Sequence, residues 1–82
     1  GPSSTAAVST VDLHGLTVDE ALARVIERLD AAFRADCSEL RVVHGRSGGR
    51  IRGALHKRLR EIPHLRGFRL DPANPGVTII SL

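Results

Sequence analysis

Apolar residues along this chain recur in two rhythms, one of period two and one near 3.6. Val11 and Leu13 alternate with Asp12 and His14, the mark of a half-buried strand over residues 10–14. Gly15-Leu16 breaks that rhythm as a turn. Val18, Ala21, Leu22, Val25, Ile26, Leu29 and Phe33 then return at helical spacing to about residue 35. Thr17 stands at the helix N-cap, and Glu20 follows at the spacing of a capping box. A short connection over 36–38 leads to a second strand at 39–44, with Leu-Arg-Val-Val at its centre. A second helix is expected from Arg50 to Ile62, its buried stripe being Ile51, Leu55, Leu59 and Ile62, and Pro63 stops it. Phe68 marks a short strand within 65–70, residues 71–76 a turn, and the β-branched run 77–82 a last strand.

The order β-α-β-α-β-β constrains the fold. A strand-helix-strand unit makes a right-handed crossover and a parallel pair, whereas the last two strands are joined closely enough to be antiparallel. Two helices cover one sheet face only. The expected architecture is α/β: a two-layer sandwich with a mixed four-stranded sheet and both helices on one face. Residues 1–9 are small and polar and read as a tag remnant and linker, leaving 10–82 as the domain.

Composition narrows what such a domain does. Phe33 and Phe68 are the only aromatics among Phe, Trp and Tyr, which argues against a base-stacking platform. Cys37 is alone, so one chain makes neither a disulfide framework nor a cysteine zinc site, and it reads as a small buried thiol. No apolar run approaches the ~20 residues that span a bilayer, and no signal-peptide pattern is present. A cytoplasmic domain that does not engage membranes is expected. Charge is unevenly divided: residues 1–40 carry three arginines against seven acids, and residues 41–82 carry nine basic residues against two acids. Such polarity within one small domain points to an anionic partner.

Two strand-His-Gly-helix units, Asp12-Leu13-His14-Gly15 and Val42-Val43-His44-Gly45, bring the candidate chemistry to one sheet edge. Asp12 and His14, two apart, leave the strand on the same, open face. Histidine is suited to proton transfer near neutrality, and a carboxylate beside it orients the ring and supports its cation. In the second unit Gly45, Gly48 and Gly49 let the backbone approach a ligand closely, with Arg46, Ser47, Arg50 and Arg52 around them at the start of a helix. This is not a P-loop. Arg52, His56, Lys57, Arg58 and Arg60 lie off the apolar stripe of the second helix, where they extend a phosphate-binding surface. His56 and His64 read as ordinary surface residues. No second carboxylate cluster of the kind used by two-metal nucleases is present.

These runs, together with Gly76-Val77-Thr78-Ile79-Ile80-Ser81-Leu82, resemble the three signatures of the Smr (small MutS-related) domain. The likeness covers nearly all of residues 10–82. Asp12 and His14 match the family's Leu-Asp-x-His motif, His44 and Gly45 its His-Gly-x-Gly motif, and Arg52 the arginine that follows the glycines. Val11 replaces the usual leucine, and Ser47 the second glycine of His-Gly-x-Gly, with Gly48-Gly49 directly after it. The resemblance implies a fold like the C-terminal domain of bacterial translation initiation factor three. It implies occurrence either as a standalone protein or at the C-terminus of a MutS paralogue.

It further implies a nicking endonuclease acting in DNA recombination or repair, or on RNA and in ribosome quality control. The catalytic residues would be Asp12, His14 and His44. Nucleic acid, DNA (branched DNA included) or RNA, would be held by Gly45, Arg46, Ser47, Gly48, Gly49, Arg50, Arg52 and Lys57. Mg²⁺ or Mn²⁺ is the cofactor class admitted, and the ribosome a further partner. The competing expectation is a non-catalytic module that docks a larger MutS-like protein on DNA or ribosomal RNA.

Overall fold

The computed structural model describes residues 7–45 and 49–82. Its elements are β1 (Ala7–Asp12), α1 (Val18–Arg34), β2 (Cys37–Val43), α2 (Gly49–Arg60), β3 (Gly67–Asp71) and β4 (Asn74–Ser81). The order and type match the expected β-α-β-α-β-β. The strands lie in the order β1-β2-β4-β3. β1 and β2 are parallel, with α1 as their crossover, while β4 runs antiparallel to both β2 and β3.

Helix α1 forms where the pattern demanded it. The Thr17 hydroxyl accepts from the Glu20 N–H at 3.2 Å, and the Glu20 carboxylate accepts from the Thr17 N–H at 2.9 Å. Both bonds satisfy donors the first turn leaves without intrahelical partners. Ala21, Val25 and Leu29 of α1 meet Leu55 and Leu59 of α2 over Val11, Leu13, Leu40, Val42 and Ile80 of the sheet. Both helices therefore cover one face, as the two-layer reading requires. The period of two assigns Asp12, Arg41 and Arg69 to the other face, where Arg41 pairs with Asp71 at 2.5 Å.

Three strands start earlier than the sequence reading has them, and α2 ends at Arg60, two residues before the expected Ile62. β1 starts at Ala7, so three residues expected in the linker are sheet: Val8 pairs with Glu39 and Ser9 with Leu40. β2 starts at Cys37, two residues early, because β1 supplies it with a partner there. β4 starts at Asn74 rather than Val77, shortening the expected 71–76 turn. Here side chains replace backbone partners: Asp71 Oδ1 accepts from the Ala73 N–H at 2.9 Å, and Asn74 Oδ1 from the Gly76 N–H at 3.0 Å. Asx bonds of this kind satisfy the backbone locally and let the chain stay extended up to a tight corner.

Candidate functional site

Parallel pairing of β1 and β2 brings their C-terminal ends side by side. Asp12 is opposite Val43, and the Leu13 N–H donates to the Val43 carbonyl at 2.8 Å. Immediately beyond, each strand breaks into a His-Gly turn. Gly15 has φ +79° and Gly45 φ +86°, the left-handed region that favours glycine. The second turn is anchored to β4: the N–H groups of His44 and Gly45 both donate to the Gly76 carbonyl, at 2.9 and 3.0 Å.

The first turn presents a carboxylate-oriented imidazole to solvent. Asp12 Oδ1 accepts from the His14 backbone N–H at 2.9 Å and lies 2.6 Å from His14 Nδ1. An ionised carboxylate only accepts, so Nδ1 carries the proton and a neutral His14 has its lone pair at Nε2. The bond from the His14 backbone, followed by contact with its ring, holds the Asp12 carboxyl below the usual carboxylate value. The Asp12 and His14 side chains are 64% and 63% exposed, free to meet a macromolecule.

The two turns touch. A Cβ added to Gly45 would lie 2.9 Å from His14 Nε2. Gly45 is thus favoured for its backbone conformation, and a side chain there would push the His14 ring from its present position. Gly15 meets nothing within 4 Å of such a Cβ and is required for conformation alone.

His44 is placed differently from His14. It is 3% exposed, on the helix-covered side with Leu40 and Val42. Its Nε2 lies 2.8 Å from Thr78 Oγ1 and its Nδ1 3.1 Å from the Gly45 carbonyl. Burial pushes its pKa down from the ordinary 6.5, and Arg52 and His14 nearby oppose its charge further. Both ring nitrogens have protein partners, so His44 does not present a free nitrogen to solvent beside His14.

The basic residues divide. Arg50 is exposed and Arg52 half-buried in the first turn of α2, where no acidic side chain stands. Arg52 is close enough to oppose the protonation of both His44 and His56. Lys57 does not join it. At 3.6 residues per turn, position 57 lies about 140° round the helix from 52, and it borders a shallow groove with Leu22, Ala54, Arg58 and Glu61 on the α1 side. Gly49 opens α2. Arg46, Ser47 and Gly48 lie outside the described residues.

Two residues were missed as part of this neighbourhood. His56, expected at the surface, is half-buried: Nε2 is 2.9 Å from Thr78 Oγ1, and its ring packs on Phe68 with centroids 5.0 Å apart. Thr78 is fully buried in β4. The available signal was the period of two, which assigns Thr78 to the same inward face as Ile80, where a hydroxyl needs a partner. His64 is exposed, though its ring packs on Phe33. Cys37, expected to be buried, is half-buried at the start of β2.

Among the described residues, no three His, Cys, Asp or Glu side chains converge as metal ligands. At the strand ends described above, Asp12 supplies the carboxylate and its Oδ1 is already bonded, so these residues do not form a protein-built cage for a divalent ion. No helix among the described residues is long and apolar enough to cross a membrane.

The model of the Smr domain matches residues 11–82. Endonuclease MutS2 of Lachnospira eligens is 40% identical over 82 residues, covering 95% of this chain and 10% of that protein. Endonuclease MutS2 of Gemmatimonas aurantiaca is 41% identical over 78 residues, covering 92% of this chain and again 10% of the relative. The chain thus spans about a tenth of the length of these relatives. The crystal structure of the Smr domain of Thermus thermophilus MutS2 superposes with a TM-score of 0.86 at 38% identity, covering 90% of this chain and 96% of that one. The solution structure of the SMR domain of NEDD4-binding protein 2 superposes at 0.60 and 33% identity, covering 100% and 93%. With strand ends, turns and family signatures in agreement, this chain belongs to the Smr domain family.

Proposed function

We propose that this domain cleaves phosphodiester bonds in nucleic acid, with His14 Nε2 as the general base. The supporting observation is the pairing at the end of β1. Asp12 Oδ1 occupies His14 Nδ1 at 2.6 Å and leaves Nε2 available at an exposed edge, against the side-chain-free Gly45. Asp12 fixes the tautomer and supports the imidazolium that forms, the task a carboxylate performs beside a catalytic histidine. On RNA, Nε2 takes the proton of the 2′-hydroxyl, the 2′-oxygen bonds to phosphorus, and the bond to the leaving oxygen breaks as that oxygen takes a proton from water. On DNA, water takes the place of the 2′-hydroxyl. The N–H groups that the first turn of a helix leaves without intrahelical partners, here those of α2, stabilise charge building on the phosphate oxygens together with Arg50 and Arg52. His44 has a structural part in this reading, holding the Gly45 turn from within.

The relatives named Endonuclease MutS2 support cleavage of nucleic acid, and the tenth of their length that this chain spans supports a larger chain as the setting. RNA carries its own nucleophile, the 2′-hydroxyl, which an exposed His14 Nε2 is placed to deprotonate. The test is cleavage of supercoiled plasmid and of a labelled single-stranded RNA, with EDTA, Mg²⁺ or Mn²⁺. His14→Ala is expected to lower the cleavage rate by about 10²–10⁴-fold while binding is retained. Loss of binding in an Arg50→Ala/Arg52→Ala variant, with cleavage absent from every chain including the parent, would instead establish a docking module. Phosphate contacts of either kind weaken steeply with salt.

A further inference from the structure

A buried polar chain links α2 to the Gly45 turn, and its proton order is fully determined. The Gly45 carbonyl can only accept, so His44 Nδ1, 3.1 Å away, must donate. At 3% exposure the His44 ring is neutral, and its Nε2 therefore carries a lone pair. Thr78 Oγ1, 2.8 Å from that nitrogen, gives it the one proton a hydroxyl has. The hydroxyl then has only lone pairs left for His56 Nε2 at 2.9 Å, which must donate in turn. The bonds run one way, from His56 through Thr78 and His44 to the Gly45 carbonyl. Among the described residues no buried side-chain polar atom is left without a partner.

We propose that Thr78 and His56 are positioning residues: their hydrogen bonds lock His44 in its Nδ1–H tautomer, and His44 in turn holds the Gly45 turn against which the His14 ring rests. This rests on His14 being the catalytic base. The far end of the chain is the carbonyl of the residue with φ +86°, and His14 Nε2 lies 2.9 Å from where a side chain on that same residue would begin. A neutral histidine on its own prefers the Nε2–H tautomer, so the Gly45 carbonyl and the Thr78 hydroxyl together impose the other one. Without the hydroxyl proton, His44 loses one of the two bonds that fix its tautomer, and its tie to the Gly45 turn weakens.

Two-bond ¹⁵N–¹H correlation spectra of the labelled chain report which ring nitrogen is protonated. His44 is expected as Nδ1–H and His56 as Nε2–H. In Thr78→Val, His44 is expected to move toward Nε2–H and the Gly45 amide resonance to shift. In the same variant kcat for cleavage should fall about ten- to a hundredfold, as it does when a catalytic group is displaced, with KM nearly unchanged. Thr78→Ser keeps the hydroxyl and is expected to restore all three readings. His56→Leu, at a half-buried position, is expected to act in the same direction, and it stands in if Thr78→Val does not fold. An Nε2–H tautomer for His44 in the parent chain would overturn the proposal. So would Thr78→Val or His56→Leu spectra with the Gly45 amide unmoved. A parent chain that cuts no nucleic acid would remove the nuclease reading, and the tautomer and the Gly45 amide would still decide this one.

Discussion

The ends of β1 and β2 carry the same two letters, His-Gly, and make opposite use of them. At the end of β1 the histidine faces water, 63% exposed and held by Asp12 from its own strand. At the end of β2 the histidine is 3% exposed and is held by Thr78 from a different strand. The cause is parity. His14 is two residues from Asp12 on the open face, and His44 two residues from Val42 on the helix-covered face. The first turn thus has the freedom to react, and the second the rigidity to be leaned on. Sequence identity of the two motifs concealed a division of labour that burial makes plain.

The sharpest way to break this contrast is to truncate each histidine. His44→Ala is expected to lower unfolding free energy by about 3 kcal/mol, since it opens a cavity and strips the buried Thr78 hydroxyl of a partner. His14→Ala, at an exposed position, is expected to stay within about 0.5 kcal/mol of the parent. Urea unfolding of both variants checks this, and equal losses would refute the difference in role.

The glycines sharpen the comparison at lower energy. Gly15→Ala and Gly45→Ala each force an alanine into left-handed backbone, at about 1–2 kcal/mol. Gly45→Ala adds a methyl 2.9 Å from His14 Nε2, whereas Gly15→Ala meets open space. Cleavage is expected to suffer more in the Gly45 variant, by about tenfold beyond any shared effect. Equal activities at equal stability would show that the contact between the two turns does not matter to the chemistry.

The smallest expected effect is in pH. Burial is the main cause that holds both His44 and His56 below the ordinary imidazole value of 6.5 in the folded chain. As pH falls below 6.5 the unfolded chain binds protons that the folded chain does not, so stability declines until the lower folded values are passed. Denaturant midpoints measured from pH 8 to 5 are expected to drop below about 6.5, and less so in His44→Gln. A flat profile would mean that the buried histidine pair does not couple to folding. The lowered Asp12 and Asp71 carboxyls act further down: their contribution is present above 3.8 and is lost as pH falls through their depressed values.

Much of the fold is written locally. The α1 stripe and its Thr17–Glu20 box require nothing from the rest of the chain, and helix between two strands is enough to make them parallel. Asp12 and His14 are equally readable, because a period of two places both on one face. The remainder depends on partners distant in sequence. Ala7–Ser9 are strand only because β2 lies beside them, and Asn74 joins β4 because side chains close its corner. His56 is polar and lies off the apolar stripe of α2, which reads as surface; β4 and Phe68, twelve or more residues on, are what cover it. Lys57 follows His56 directly, and one residue of helical rotation sends it to the α1 flank, away from Arg52.

The outer margin of β1 carries a further consequence. Val8 there is half exposed, and an edge strand with open carbonyls invites a second sheet to add on. Arg28, from the second half of α1, reaches across that margin and donates to the Thr10 carbonyl at 2.7 Å. A neighbouring molecule trying to extend the sheet would have to displace a guanidinium and bring its own strand against a fixed positive charge. Arg28 thereby ties α1 to the outer margin of the sheet and occupies one of the acceptors that an added strand would need.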